Sequence, residues 1–103
     1  ALRRLIADIL TRSGLDAQAA EDGNAALRAV DAGFQPDLVV CDLMLPFKEG
    51  TVVIAELRDR IAGVRALFLS GAVGAMDLGE PLLPKPFTPR QLVEAVLALL
   101  DGD

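Results

Sequence analysis

Leu38-Val39-Val40-Cys41 runs apolar without a break and stops at Asp42. A short unbroken run of this kind suits a strand buried on both faces, as in a parallel sheet covered by helices. Pro46 and Gly50 follow closely; they forbid an immediate helix and make the next segment a shaped loop. Asp42 thus stands at the carboxyl end of a strand, the edge at which open α/β sheets bind ligands. Aspartate also ends strands without any further role, so this position alone leaves both readings open.

The rest of the chain alternates around that strand. Leu2, Leu5, Ile6, Ile9 and Leu10 recur at helical spacing, with Arg3, Arg4, Asp8 and Arg12 opposite and Ser13-Gly14 as the stop. Asp16 to Ala20 is short and rich in alanine, which predicts at best a weak edge strand. Asp22 is placed as N-cap of a helix carrying Ala26, Leu27 and Val30, broken by Gly33 and Pro36. Val53, Leu57 and Ile61 stand at i, i+4 and i+8 of the next helix, where Glu56 and Arg60 are expected to pair and Gly63 ends the run. Ala66-Leu67-Phe68-Leu69 predicts a second buried strand ending at Ser70, and Leu82-Leu83 a third ending near Lys85. Thr88-Pro89-Arg90-Gln91 specifies a helix start: Thr88 caps, Pro89 takes the first position and Gln91 closes a capping box. Phe87 and Leu92 are placed as the hydrophobic staple, and Val93, Val96, Leu97, Leu99 and Leu100 extend the apolar face.

Strands that alternate with helices call for a parallel sheet with right-handed crossovers. The three strand ends then fall on one edge, with neighbouring strands about 4.8 Å apart. A carboxylate (Asp42), a hydroxyl (Ser70) and an ammonium (Lys85) are therefore expected to converge.

Composition narrows what that edge does. The 103 residues make one domain, and a net charge of −5 argues against a nucleic-acid partner. No apolar run approaches the roughly 18 residues that suggest a membrane span. No signal-peptide pattern is present, and the first residue is Ala1 rather than Met, which points to a fragment. The single cysteine, Cys41, lies inside an apolar run, as a small core residue would, and fits a reducing, cytoplasmic setting. Histidine is absent, which removes Ser-His-Asp and Cys-His catalysis and the usual zinc sites. Any phosphohistidine must come from another protein or domain.

A carboxylate can accept a phosphoryl group as an acyl phosphate. Two anions must then approach each other, so positioning and cationic charge dominate. A unit charge such as that of Lys85 is worth about 4 kcal/mol at ~4 Å and an effective dielectric near 20, before desolvation. Ser70 can hydrogen-bond a phosphoryl oxygen, and magnesium, held by carboxylates, waters and the phosphate, supplies further charge. Taken singly, Ser70 reads as a strand-end hydroxyl and Lys85 as a surface lysine. Ser70-Gly71-Ala72-Val73-Gly74 lacks the spacing of a glycine-rich phosphate loop and reads as a turn.

The whole chain resembles the receiver domain of two-component response regulators. The resemblance rests on Ala20-Glu21-Asp22-Gly23-Asn24-Ala25-Ala26-Leu27, on Asp42-Leu43-Met44-Leu45-Pro46 with Gly50, on Ser70 at its strand end and on Lys85-Pro86-Phe87. It implies a flavodoxin-like doubly wound parallel sheet of order 2-1-3-4-5. It further implies Asp42 as phosphoacceptor, Ser70 as switch hydroxyl, Lys85 as the phosphoryl-binding cation and a cis peptide before Pro86. Mg2+ is implied as cofactor, bound by Asp42 and the Met44 main chain with acidic ligands from an upstream strand. The implied partners are a sensor histidine kinase or phosphotransfer protein and an output domain or partner protein; the implied role is bacterial signalling rather than enzyme turnover.

Three departures qualify the match. The family's first strand, with its acidic pair, is missing from residues 1–103, so about 10 to 12 upstream residues are expected. Asp22 cannot replace that pair, because it follows a strand about 10 Å from that of Asp42. Ten residues between Ser70 and Pro81 leave the fourth helix shortened or lost, which is similar to receivers of hybrid sensor kinases. Leu82 stands where the family carries an aromatic residue or histidine, which argues against switching through an aromatic flip. A pseudo-receiver that is never phosphorylated is the alternative reading. A phosphatase of the aspartyl-phosphate type is disfavoured, since Met44 stands where its second aspartate belongs.

Overall fold

In a computed structural model that describes residues 2–45, 48–71 and 79–101, three parallel strands are layered between helices. The elements are α1 (Leu2–Arg12), α2 (Gly23–Asp31), β1 (Leu38–Asp42), α3 (Gly50–Arg60), β2 (Arg65–Ser70), β3 (Leu82–Pro84) and α4 (Pro89–Asp101). The sheet order is β1-β2-β3, with Leu38 opposite Arg65, Asp42 opposite Leu69 and Ser70 opposite Pro84. Within the order 2-1-3-4-5 these are the last three strands.

The period-2 alternation of the strands divides the core into two layers. Cys41, Ala66 and Phe68 face one way and pack with Leu27 of α2 and Val53, Ile54 and Leu57 of α3. Leu67, with Val40 and Leu83 beside it, faces the other way onto Leu10 of α1 and Leu92 and Val96 of α4. Both faces of β1 and β2 are thus apolar, which is why their sequences run without alternation. No helix among the described residues is long and apolar enough to cross a membrane.

Local signals hold where they are purely local. Asp22 caps α2 by accepting from the Ala25 amide at 2.8 Å. Thr88 Oγ1 accepts from the Gln91 amide at 3.1 Å, and Gln91 Oε1 accepts from the Thr88 amide at 2.8 Å, a complete capping box. Gly14 and Gly63 adopt φ of 92° and 76° after α1 and α3, where a side chain would strain the backbone.

Three expectations are corrected. Residues 16–20 form no strand, because no strand of the sheet lies beside them to complete a ladder; Leu15 and Ala17 instead pack on the α1–α4 layer. Glu56 pairs with Lys48 at 2.8 Å and Arg60 with Asp31 at 2.8 Å, so the pair expected within α3 gives way to partners on other segments. Leu5 and Leu97 are 54% and 39% exposed, lying at the margins of apolar faces centred on Ile6, Ile9 and Leu10 and on Leu92 and Val96. The shortened fourth helix, the turn at 72–74 and Pro46 lie outside the described residues.

Candidate functional site at the carboxyl edge of the sheet

The ladder carries the strand ends to one rim. Beyond β1, the Leu43 amide donates to Leu69 O at 3.0 Å; beyond β3, the Lys85 amide donates to Ser70 O at 2.7 Å. These two bonds lock the main chain around Asp42, Ser70 and Lys85. The Lys85 ammonium then donates to Asp42 Oδ2, closing a separation of 43 residues. The other carboxylate oxygen, Oδ1, accepts from the Met44 amide at 3.0 Å, a local aspartate turn. Each oxygen of the carboxylate is therefore oriented by one donor. Asp42 and Lys85 side chains are 29% and 30% exposed, so the pair is reachable from solvent. Ser70 is 5% exposed at the end of β2. The Lys85–Pro86 peptide is cis.

The loop after Asp42 is closed at its base. Gly50 donates to Leu43 O at 3.0 Å, and Met44 bridges Glu49 in antiparallel fashion. A Cβ on Gly50 would stand 2.4 Å from Asp42 O and 3.2 Å from Cys41 Sγ, so only glycine lets α3 begin this close to the strand end. Behind the rim, the Cys41 thiol donates to Asp42 O at 3.4 Å. Burial, with a smaller contribution from the Asp42 charge, pushes its pKa from 9.0 up to about 11. Cys41 is a core residue and a protonated one at neutral pH.

Asp22 is committed to capping α2, and Asn24 and Lys48 are the residues near the rim that sequence reasoning passed over. Lys48 Nζ donates to Asn24 Oδ1 at 3.1 Å and to Glu56 Oε1 at 2.8 Å. No helical or strand period links these three positions, so nothing in the sequence announces them. Two surface depressions of ≈490 and ≈520 Å³ lie at the opposite edge of the sheet, around Gly63, Val64 and Arg65. They are lined by Arg58, Arg65, Glu80 and Asp37 among others, and by none of Asp42, Ser70 or Lys85.

Residues 1–97 match the family model of the response regulator receiver domain. The chain is a member of the receiver family. It is 36% identical over 98 residues to the alkaline phosphatase synthesis transcriptional regulatory protein PhoP of Bacillus subtilis, covering 88% of this chain and 40% of that protein. It is 33% identical over 106 residues to the transcriptional regulatory protein CpxR of Klebsiella pneumoniae, covering 96% and 44%. This receiver chain spans less than half the length of either curated relative. In three dimensions it is similar to the receiver domain of NtrX from Brucella abortus, with a TM-score of 0.84, 26% identity and coverage of 99% of this chain and 92% of that one. A TM-score of 0.86 to the chemotaxis protein CheY4 of Vibrio cholerae, at 20% identity, shows the shared flavodoxin-like fold.

Receiver domains in general bind Mg2+ at an acidic pocket. Here the Asp42 carboxylate is a hard oxygen donor of the kind that suits magnesium. Among the described residues no group of three acidic, cysteine or histidine side chains stands together. The described residues thus fit only part of a magnesium shell, with the one carboxylate of Asp42 among the six ligands that the ion takes.

Proposed function

We propose that residues 1–103 act as a phosphoacceptor receiver, taking a phosphoryl group from a phosphohistidine onto Asp42. The observation that carries this reading is the pairing of the Lys85 ammonium with one oxygen of Asp42 while the Met44 amide fixes the other. A carboxylate held in this way presents its lone pairs in a set direction at a solvent-reachable rim.

The step is a phosphoryl transfer. A carboxylate oxygen of Asp42 attacks phosphorus, the P–N bond of the donor breaks, and the imidazole nitrogen keeps that electron pair. Lys85 passes from the carboxylate to the phosphoryl oxygens, so one cation serves both the resting and the charged state. Ser70, at the neighbouring strand end, supplies a hydroxyl for a phosphoryl oxygen. Magnesium, held in part by Asp42 and Met44, neutralises phosphoryl charge when bound.

The donor is a sensor histidine kinase or phosphotransfer protein, or such a domain outside residues 1–103, since these residues include no histidine. The acyl phosphate then shifts an existing equilibrium that an output domain or partner protein reads. The protein is a signalling acceptor that assists its own phosphorylation rather than an enzyme with turnover.

Incubating the protein with a small acyl phosphate and Mg2+ and measuring intact mass tests the reading. A gain of one phosphate, absent in Asp42→Asn, is expected. No gain favours a pseudo-receiver acting through binding alone, and a gain that survives in Asp42→Asn overturns Asp42 as the acceptor.

A further inference from the structure

We infer that Lys48 is a positioning residue for Asp42, a tether that holds the loop after β1 in the shape needed to keep the Met44 amide on the carboxylate. The inference rests on the reading of Asp42 as phosphoacceptor and names a residue that governs it. Lys48 directly precedes the two rungs that close the loop, the Met44–Glu49 bridge and the Gly50 bond to Leu43. Its ammonium reaches two other elements at once: Asn24 in the first turn of α2 at 3.1 Å and Glu56 in the second turn of α3 at 2.8 Å.

Those two anchors are themselves fixed. Gly23, next to Asn24, packs so tightly on α3 that a Cβ there would stand 2.6 Å from Val53 Cγ2. Val53 and Leu57, flanking Glu56 on the helix, are 2% and 1% exposed. Lys48 therefore ties a loop to a rigid pair of helices rather than to mobile side chains. The loop ends in turn at Asp42, whose Oδ1 takes its orientation from the Met44 amide inside the tethered segment. Lys48 and Glu56 are 29% and 34% exposed in their side chains, shielded enough to lower screening without a large desolvation cost.

The reach of a partly exposed pair bounds the effect. Ion pairs of this type are worth up to about 1 kcal/mol, equivalent to a factor of about five. Lys48→Met in the whole protein is expected to speed hydrogen exchange of the Met44 amide, followed by NMR, about three- to fivefold. It is expected to slow phosphorylation of Asp42 by acyl phosphate by a similar factor. Lys48→Arg keeps a donor cation and restores both readouts to within about twofold. Lys48→Met adds little in a Glu56→Gln background, because the two changes remove one interaction.

Unchanged Met44 exchange and unchanged phosphorylation in Lys48→Met overturn the inference. So does a loss that tracks a lowered melting temperature and is not rescued by Lys48→Arg, which marks a merely structural lysine. If the unaltered protein takes no phosphate, the acceptor reading falls by itself, and the Met44 amide still decides whether the tether exists.

Discussion

The point where a Cβ of Gly50 would sit lies 2.4 Å from the main-chain oxygen of Asp42. Helix α3 therefore starts in van der Waals contact with the end of β1. Gly50→Ala presses a methyl group against the backbone of Asp42, which cannot swing aside as a side chain could. Overpacking of this kind costs about 1–3 kcal/mol, and a drop of several degrees in melting temperature is expected. Calorimetry of the variant checks it; an unshifted transition contradicts the close approach.

The capping box of α4 sits one turn from the Lys85 segment. Thr88→Ala removes the acceptor for the Gln91 amide and is expected to cost about 1 kcal/mol in urea unfolding. Gln91→Ala removes the reciprocal bond and is expected to act in the same direction. In the double variant the two losses overlap, because one box is broken in either case.

Much of this architecture was legible from residue order. The runs at 38–41 and 66–69 mark strands covered on both faces, and the cap residues Asp22, Thr88 and Gln91 act over three residues, within reach of local reasoning. The convergence of Asp42 with Lys85 followed from parallel strands sharing an edge, and the ion pair realises it. What stayed hidden depends on tertiary neighbours. Glu56 and Arg60 have the spacing of a helical pair, yet Lys48 and Asp31 reach them first across gaps of 8 and 29 residues. Residues 16–20 carry no strong strand signal and meet no partner strand. Gly50 was visible as a loop residue, but its contact with Asp42 O exists only once β1 and α3 are docked.

Lys85 is the only side-chain cation seen on Asp42 among the described residues. Its replacement by Met removes the charge that offsets the approach of two anions. A fall of about a hundredfold in the rate of phosphorylation is expected, the scale found for loss of one transition-state donor. Rapid-mixing measurement with acyl phosphate checks it. A variant within about twofold of the original rate contradicts the role.

Cys41 gives the protein an alkaline limit. Its pKa rises from 9.0 to about 11 on folding, so the native state holds this proton more tightly than the unfolded chain. The stabilisation is fully present below pH 9 and is lost as the pH climbs towards 11, by up to about 3 kcal/mol. Cys41→Ala is expected to flatten this part of the stability–pH curve, measured by denaturant unfolding between pH 8 and about 11. An equally steep decline in the variant assigns the effect to other groups.

The central claim is that the phosphoryl group resides on the carboxylate of Asp42, and mapping the modification tests it most directly. The protein is labelled with phosphate from a phosphohistidine donor, split into two portions, and one portion is treated with hydroxylamine before peptide mass analysis. Acyl phosphates are cleaved by hydroxylamine, whereas phosphoesters survive. The account predicts one phosphate on the peptide containing Asp42, lost on treatment. Phosphate that survives on Ser70 or any threonine, or a protein that takes none from the donor, contradicts it.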